Sequence, residues 1–317
     1  MKYKVYYGIT ACDNIDVTNI CIEKCSESHI LYIAKDVEYK NMLFSDPYPS
    51  KKKYIFIQDG GEIKYIKEDQ ESICFDYEKG DMILEKQVPY SLWCKDKNEH
   101  DKLVWIHEKL QINHGTFKEE DVEQRLVAKY ITGKEKVLEL GGNIGRVALV
   151  TAYILNHHDN IDFVSMECNT DIAIQLCENR TINKLQFYIE PTALSKRALI
   201  QNGWHNVESN TLLPGHLPVT NTTMEVLKQK YRIDFDTLIV DCEEAFYFIL
   251  MDMPEILSGI QLIIMENDYL EQYKKSYVDE ILIKNNFHVI YCEKGGWPEE
   301  YNRFPCYHNI YEVWKKY

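Results

Sequence analysis

Four apolar runs in this chain each end on residues whose types and spacing could do chemistry. "VLELGGNIG" carries Glu139, Gly141 and Gly145; "VSMECN" carries Glu167; "TLIVDCEEAF" carries Asp241, Glu243 and Glu244; "LIIMEND" carries Glu266 and Asp268. Glycines let backbone come close to a ligand. A strand-end carboxylate can accept both hydroxyls of a ribose. Acids gathered at neighbouring strand ends can take up a proton or hold a hard cation.

The glycine turn excludes two phosphate sites. A dinucleotide fingerprint starting at Gly141 requires glycine at 143 and 146, where the chain has Asn143 and Arg146. A phosphate-cradling loop requires Gly-Lys-Ser/Thr at 146 to 148, where it has Arg146, Val147 and Ala148. What remains is acid-x-Gly-x-x-x-Gly. Glu139 and the amides of Gly141, Gly142, Asn143 and Gly145 suit a cationic amino-acid head group, which S-adenosylmethionine has, together with a ribose for Glu167 and no phosphate.

Methyl transfer to a hydroxyl needs a group that removes a proton as the new bond forms. Asp241, Glu243 and Glu266 are the carboxylate candidates, and Asp241 also faces the donor. His205 in "GWHNVES" has a side chain suited to proton transfer at neutral pH. Asp241, Glu266 and Asp268 offer oxygen ligands for a divalent cation, but are taken as ordinary strand-end acids, so no metal is expected. Trp204 and Trp297 stand beside glycines, where a ring face could stack on a sugar. The ten cysteines form no CxxC pair and read as reduced thiols.

These residues need a parallel sheet to bring them to one edge. From Val137 the chain alternates strand and helix: "KVLEL", "RVALVTAYIL", "DFVSME", "TDIAIQLCENRTIN", "QFYIEP", an irregular section to about Pro218, "MEVLKQKY", "DTLIVD", "EAFYFILMDMPEIL" and "QLIIMEN". After the helix "YVDEILIKN", the strands "FHVIYCEKGG" and "IYEVWKKY" have no helix between them. They are expected to close the sheet as an antiparallel pair. The fold class is therefore α/β, a Rossmann-like sheet with an antiparallel closing hairpin. Before it, residues 1–97 read as a small β-rich domain of short strands, "VTNICIE" among them, and the second domain spans residues 98–317.

"VLELGGNIGRVAL", "MECN", "TALS", "TLIVDCEEAF" and "LIIMEND" together resemble the FkbM family of S-adenosylmethionine-dependent methyltransferases, over about residues 115 to 317. "LIQNGW", "MDMPEIL" and "YEVWKK" resemble a branch of it found in large DNA viruses and phages. The resemblance implies a class I methyltransferase that methylates a hydroxyl, commonly on a sugar, and so a sugar or glycan acceptor. It also implies Ala193 and Leu194 beside the adenine, with Cys168 and Asn169 opposite. The family usually has glycine where this chain has Glu244, which puts the fit of the substrate in doubt. The amino-terminal segments "IDVTNI" and "LFSDPYPSKKKYIFI" faintly resemble a β module of viral glycan-related proteins, implying acceptor binding or assembly.

The net charge of −14 over 317 residues argues against wrapping nucleic acid or lying on an anionic membrane. No apolar run is long enough for a membrane span and no secretory leader opens the chain, so a cytoplasmic protein without nucleic-acid partner or membrane insertion is expected. A decayed methyltransferase that only binds carbohydrate and an NAD-dependent oxidoreductase are the competing readings. Asn143, Arg146 and the closing hairpin disfavour the second.

Overall fold

The computed structural model describes residues 2–203, 205–295, 306 and 308–317. Trp204 and Trp297 lie outside them. The chain divides into two compact units, Met1–Asn98 and Glu99–Tyr317.

Unit 1 holds two four-stranded antiparallel sheets. One is built from Tyr3–Gly8, Asn14–Asp16, Tyr54–Asp59 and Glu62–Glu68, the other from Ser26–Glu27, Ile30–Ile33, Ile73–Asp76 and Asp81–Met82. Their shared core includes Tyr7, Leu31, Phe44, Ile55 and Phe75. "VTNICIE" is not a strand. It forms the helix Thr18–Lys24, because Val17, Cys21 and Cys25 recur every four residues and are all buried. Its β-branched residues favour a strand locally, and packing outweighs that preference.

Unit 2 contains one seven-stranded sheet. Its strands are labelled β1 (Val137–Leu140), β2 (Phe163–Met166), β3 (Tyr188–Glu190), β4 (Thr237–Val240), β5 (Leu262–Glu266), β6 (Phe287–Glu293) and β7 (Tyr311–Lys316), in the order β3-β2-β1-β4-β5-β7-β6. β1 to β5 are parallel, and β7 runs antiparallel between β5 and β6. The helices are α1 (Glu99–Lys109), α2 (Asp121–Tyr130), α3 (Arg146–Asn156), α4 (Thr170–Ile182), α5 (Met224–Tyr231), α6 (Ala245–Asp252) and α7 (Gln272–Lys284). Every residue of β1, β2 and β4 is buried, as expected for strands covered on both faces. α3 is buried nearly throughout, from Arg146 to Leu155.

The register decides where chemistry can happen. Leu140 pairs with Met166 on one side and Val240 on the other, and Val240 pairs with Met265. The next residues along, Gly141, Glu167, Asp241 and Glu266, therefore lie on one level at the carboxyl edge. The section expected to be irregular instead carries a three-stranded antiparallel sheet, Leu199–Asn202, His205–Glu208 and Leu217–Pro218, and a two-stranded pair, Ala193–Leu194 with Asn221–Thr222. Among the described residues no helix is long and apolar enough to cross a membrane.

Candidate active site

The glycine turn is shaped first by its own neighbours. Gly141 has φ 93°, and a Cβ there would sit 1.6 Å from the Asp241 carbonyl oxygen. A Cβ at Gly142 would meet Ser165 Oγ at 2.2 Å, and one at Gly145, with φ 100°, would meet Leu176 Cδ1 at 2.4 Å. The missing side chains thus make room for protein atoms. Gly141 and Asn143 line the adjoining cavity, whereas Gly142 and Gly145 do not.

Glu139 lies beneath the turn. It is 2% exposed, accepts a hydrogen bond from Ser165 Oγ, and does not line the cavity. Alternation along β1 sends its side chain under the turn toward β2, where Ser165 is its direct partner in register. Burial pushes its carboxyl up to about 8. Its geometry suits holding the turn rather than touching a head group.

Glu167 does face the cavity. Its Oε2 accepts from the Asn143 amide at 3.0 Å and its Oε1 from the Asn169 amide at 2.8 Å, so both oxygens are aimed by backbone. Burial raises its pKa above the usual carboxylate range, against the pull of those two amides. Cys168 lines the same wall, with Gln201 Nε2 at 3.5 Å from its sulfur. Asn169 does not line it: its side chain caps α4, accepting from the Asp171 and Ile172 amides. The Asn143 side chain is likewise held, by Glu120 Oε1 at 3.1 Å.

Arg146 donates to the Thr116 carbonyl at 2.8 Å and to Glu120 Oε1 at 2.7 Å. It ties the segment before α2 to the turn and leaves no glycine surface for a pyrophosphate.

The cavity has a volume of about 730 Å³. Thr192, Ala193 and Leu194 line one side, and the buried Thr192 Oγ1 has no hydrogen-bond partner. Thr192 was absent from the sequence candidates, since a lone threonine after a proline carries no pattern. His205, exposed on the hairpin, lines the opening. The far wall carries Asp241, Glu243, Glu266 and Asp268. Asp241 is held well above the usual carboxylate range by burial and by Glu123. Burial brings Asp268 up to about 7, with Glu243 and Glu123 adding to it. Glu243 is half-buried, and burial raises its pKa while His205 lowers it. Glu244, the departure from the family glycine, lines the cavity with these acids but is held by its own partners. Its oxygens accept from the Leu270 amide at 2.9 Å and Lys274 Nζ at 2.5 Å.

Glu123 on α2 lies beside Asp241 and Glu266 without lining the cavity, and was not foreseen. Its carboxylate, with those of Asp241 and Glu266, offers oxygens that all lie within 4.8 Å of one another. Asp268, the third acid weighed from sequence, is not in that set.

No protein-family model matches the chain. No curated protein matches it either. Solved structures similar to it include an uncharacterized protein from Listeria monocytogenes serotype 4b (13% identity, 61% of this chain and 66% of that chain, TM-score 0.38), of whose length the chain spans just under two thirds. A putative tRNA methyltransferase from Streptococcus pneumoniae, in complex with S-adenosyl-L-methionine, gives 9%, 62%, 72% and 0.39 for the same quantities. A putative O-methyltransferase from Klebsiella pneumoniae gives 12%, 68%, 89% and 0.38. The fold of unit 2 is that of class I methyltransferases. Its own strand order, with the antiparallel β7 between β5 and β6, is the observation that shows this.

The partner expectation is corrected. Structures described as tRNA or RNA methyltransferases are among those similar to this chain, so a sugar acceptor with nucleic acid excluded does not stand. The net charge on which the exclusion rested is a sum over all residues and does not fix the field at one cavity.

Proposed function

We propose that this protein is an S-adenosylmethionine-dependent methyltransferase acting on a hydroxyl. The observation that carries this reading is Glu167, held by two backbone amides at the edge of a 730 Å³ cavity whose opposite wall is carboxylate. That volume falls in the ordinary range for small-molecule sites, roughly 300–1,000 Å³. The residues fit the donor: Glu167 has lone pairs left for a ribose diol, the unpartnered Thr192 Oγ1 and apolar Ala193 and Leu194 suit an adenine, and the acids suit a cation.

When bound, the donor supplies an electrophilic methyl group on a sulfonium. This chain's residues then have three tasks. Glu167 fixes the donor's position, Asp241 and Glu266 set the acidic wall beside it, and Glu243 with His205 accepts the proton leaving the acceptor hydroxyl. Glu243 and His205 line the same cavity, and the imidazole draws the Glu243 pKa down against its burial. The FkbM resemblance belongs to the same proposal and is supported by the spacing of the motifs alone.

Calorimetry with S-adenosylhomocysteine and with NAD tests the donor. Binding of the first and not the second is expected, and no binding of S-adenosylhomocysteine to well-folded protein would sink the reading. Release of S-adenosylhomocysteine against a panel of hydroxyl compounds, RNA included, then finds the acceptor class.

A further inference from the structure

We propose that Glu123, Asp241 and Glu266 form a binding site for one hard divalent cation, of the magnesium or manganese type, at the wall of the cavity. Three elements converge on it: α2 supplies Glu123, while the ends of β4 and β5 supply Asp241 and Glu266.

Two independent observations point to a ligand. The three oxygens lie within 4.8 Å of one another. Two oxygens opposite each other on one cation are about 4.2 Å apart for magnesium and about 5 Å for calcium, from metal–oxygen distances of roughly 2.1 and 2.5 Å. Small side-chain rotations therefore close the set on either ion. Second, Glu123 is 3% exposed, and its Oε2 is buried with no hydrogen-bond partner among the described residues. A buried carboxylate oxygen without a donor is costly unless protonated or bound to a cation.

Other buried or half-buried acids of unit 2 show what this one lacks. Glu312 has Lys275 Nζ at 3.0 Å, Glu190 has Lys230 Nζ at 2.6 Å, Glu120 has Arg146 and Glu244 has Lys274. Among the described residues no ion pair is found for Glu123, Asp241 or Glu266. The trio thus gathers three acids with no cationic side chain among them, and its sign and oxygen chemistry select a hard cation over a soft one. Asp241 and Glu266 line the cavity, so coordination positions not filled by protein would face it. There they can orient an acceptor oxygen, a role that rests on the methyltransferase reading. Cation binding itself does not.

The test is manganese binding to the full chain after chelator treatment and dialysis, read by electron paramagnetic resonance and by calorimetry, with S-adenosylhomocysteine titrated in parallel. One manganese per chain is expected, competed by magnesium, with Glu123→Gln weakening it at least tenfold and leaving S-adenosylhomocysteine affinity unchanged. Glu266→Gln, read by manganese binding alone, serves if Glu123→Gln does not fold. A resonance showing all manganese free, or either folded variant binding as the wild type does, overturns the site and assigns the trio to shared protons. Manganese binding without S-adenosylhomocysteine binding would overturn the proposed function and leave this site standing.

Discussion

The carbonyl oxygen of Asp241 occupies the space that a side chain at Gly141 would need, 1.6 Å from its first carbon. The Asp241 amide also donates to the Leu140 carbonyl at 3.0 Å, so the ends of β1 and β4 are locked together at the point where the acidic wall meets the glycine turn. A methyl group at 141 has only backbone to push against, and φ 93° is strained for any other residue. Gly141→Ala is expected to lose about 3 kcal/mol or more of stability by denaturant unfolding. A loss under about 0.5 kcal/mol would show that the strand ends can part.

Glu139 makes stability depend on pH. Its carboxyl is raised from the ordinary 4.5 up to about 8, mainly by burial, so the folded protein binds its proton more tightly than the unfolded chain does. The stabilising contribution of the protonated group is complete below about 4.5 and is lost as pH rises through about 8. Each tenfold gain in proton affinity on folding is worth about 1.4 kcal/mol, so a few kcal/mol ride on this one group. Glu139→Gln keeps an acceptor for Ser165 without a charge. Its melting temperature, measured without ligand between pH 5 and 9, is expected to fall less steeply than the wild type's. Parallel curves would place the charge elsewhere.

The Glu139 result bears on what could be read from sequence. The level of the sheet edge was legible, because each apolar run stops at a polar residue, and Gly141, Glu167, Asp241 and Glu266 do share one level. Which way each side chain turns was not legible. Glu139 lies one strand residue before the edge and points under the turn, and Asn169 spends its amide on a helix cap. Glu123 had a visible signature that went unused. It falls with Leu126, Val127 and Tyr130 at the spacing of one helix face, and an acid inside an apolar stripe marks a buried carboxylate. In unit 1 the four-residue spacing of Val17, Cys21 and Cys25 marked a helix in the same way. The small sheets around Leu199–Glu208 had no such pattern, since the hairpin strand His205–Glu208 is exposed on all residues and only pairing holds it.

Glu167 is expected to control donor affinity. Glu167→Gln keeps one acceptor oxygen but turns a donor toward a backbone amide, losing one of two bonds and the charge. Loss of about 1.5–3 kcal/mol corresponds to roughly ten- to more than a hundredfold weaker S-adenosylhomocysteine binding. In the wild type, affinity should decline on the acid side as this carboxylate, already raised by burial, takes up a proton. Calorimetry on the variant across pH separates the two effects. An unchanged affinity would remove Glu167 from the donor site.

Glu244 should prove structural although it stands in the motif. Its two oxygens bind the Leu270 amide and Lys274 Nζ, and Lys274, buried on α7, has Glu271 at 2.7 Å as its other acid. Glu244→Gly would leave the ammonium with one exposed partner and the Leu270 amide without an acceptor, costing about 1–3 kcal/mol. Glu244→Gln retains an acceptor for Leu270 and gives up only the charge, so its loss should be the smaller of the two. Both variants should bind S-adenosylhomocysteine as the wild type does, because both oxygens, although Glu244 lines the cavity, are taken up by Leu270 and Lys274. Unfolding curves and calorimetry on the pair decide the matter. Full stability in Glu244→Gly together with weakened ligand binding would make Glu244 part of the site after all.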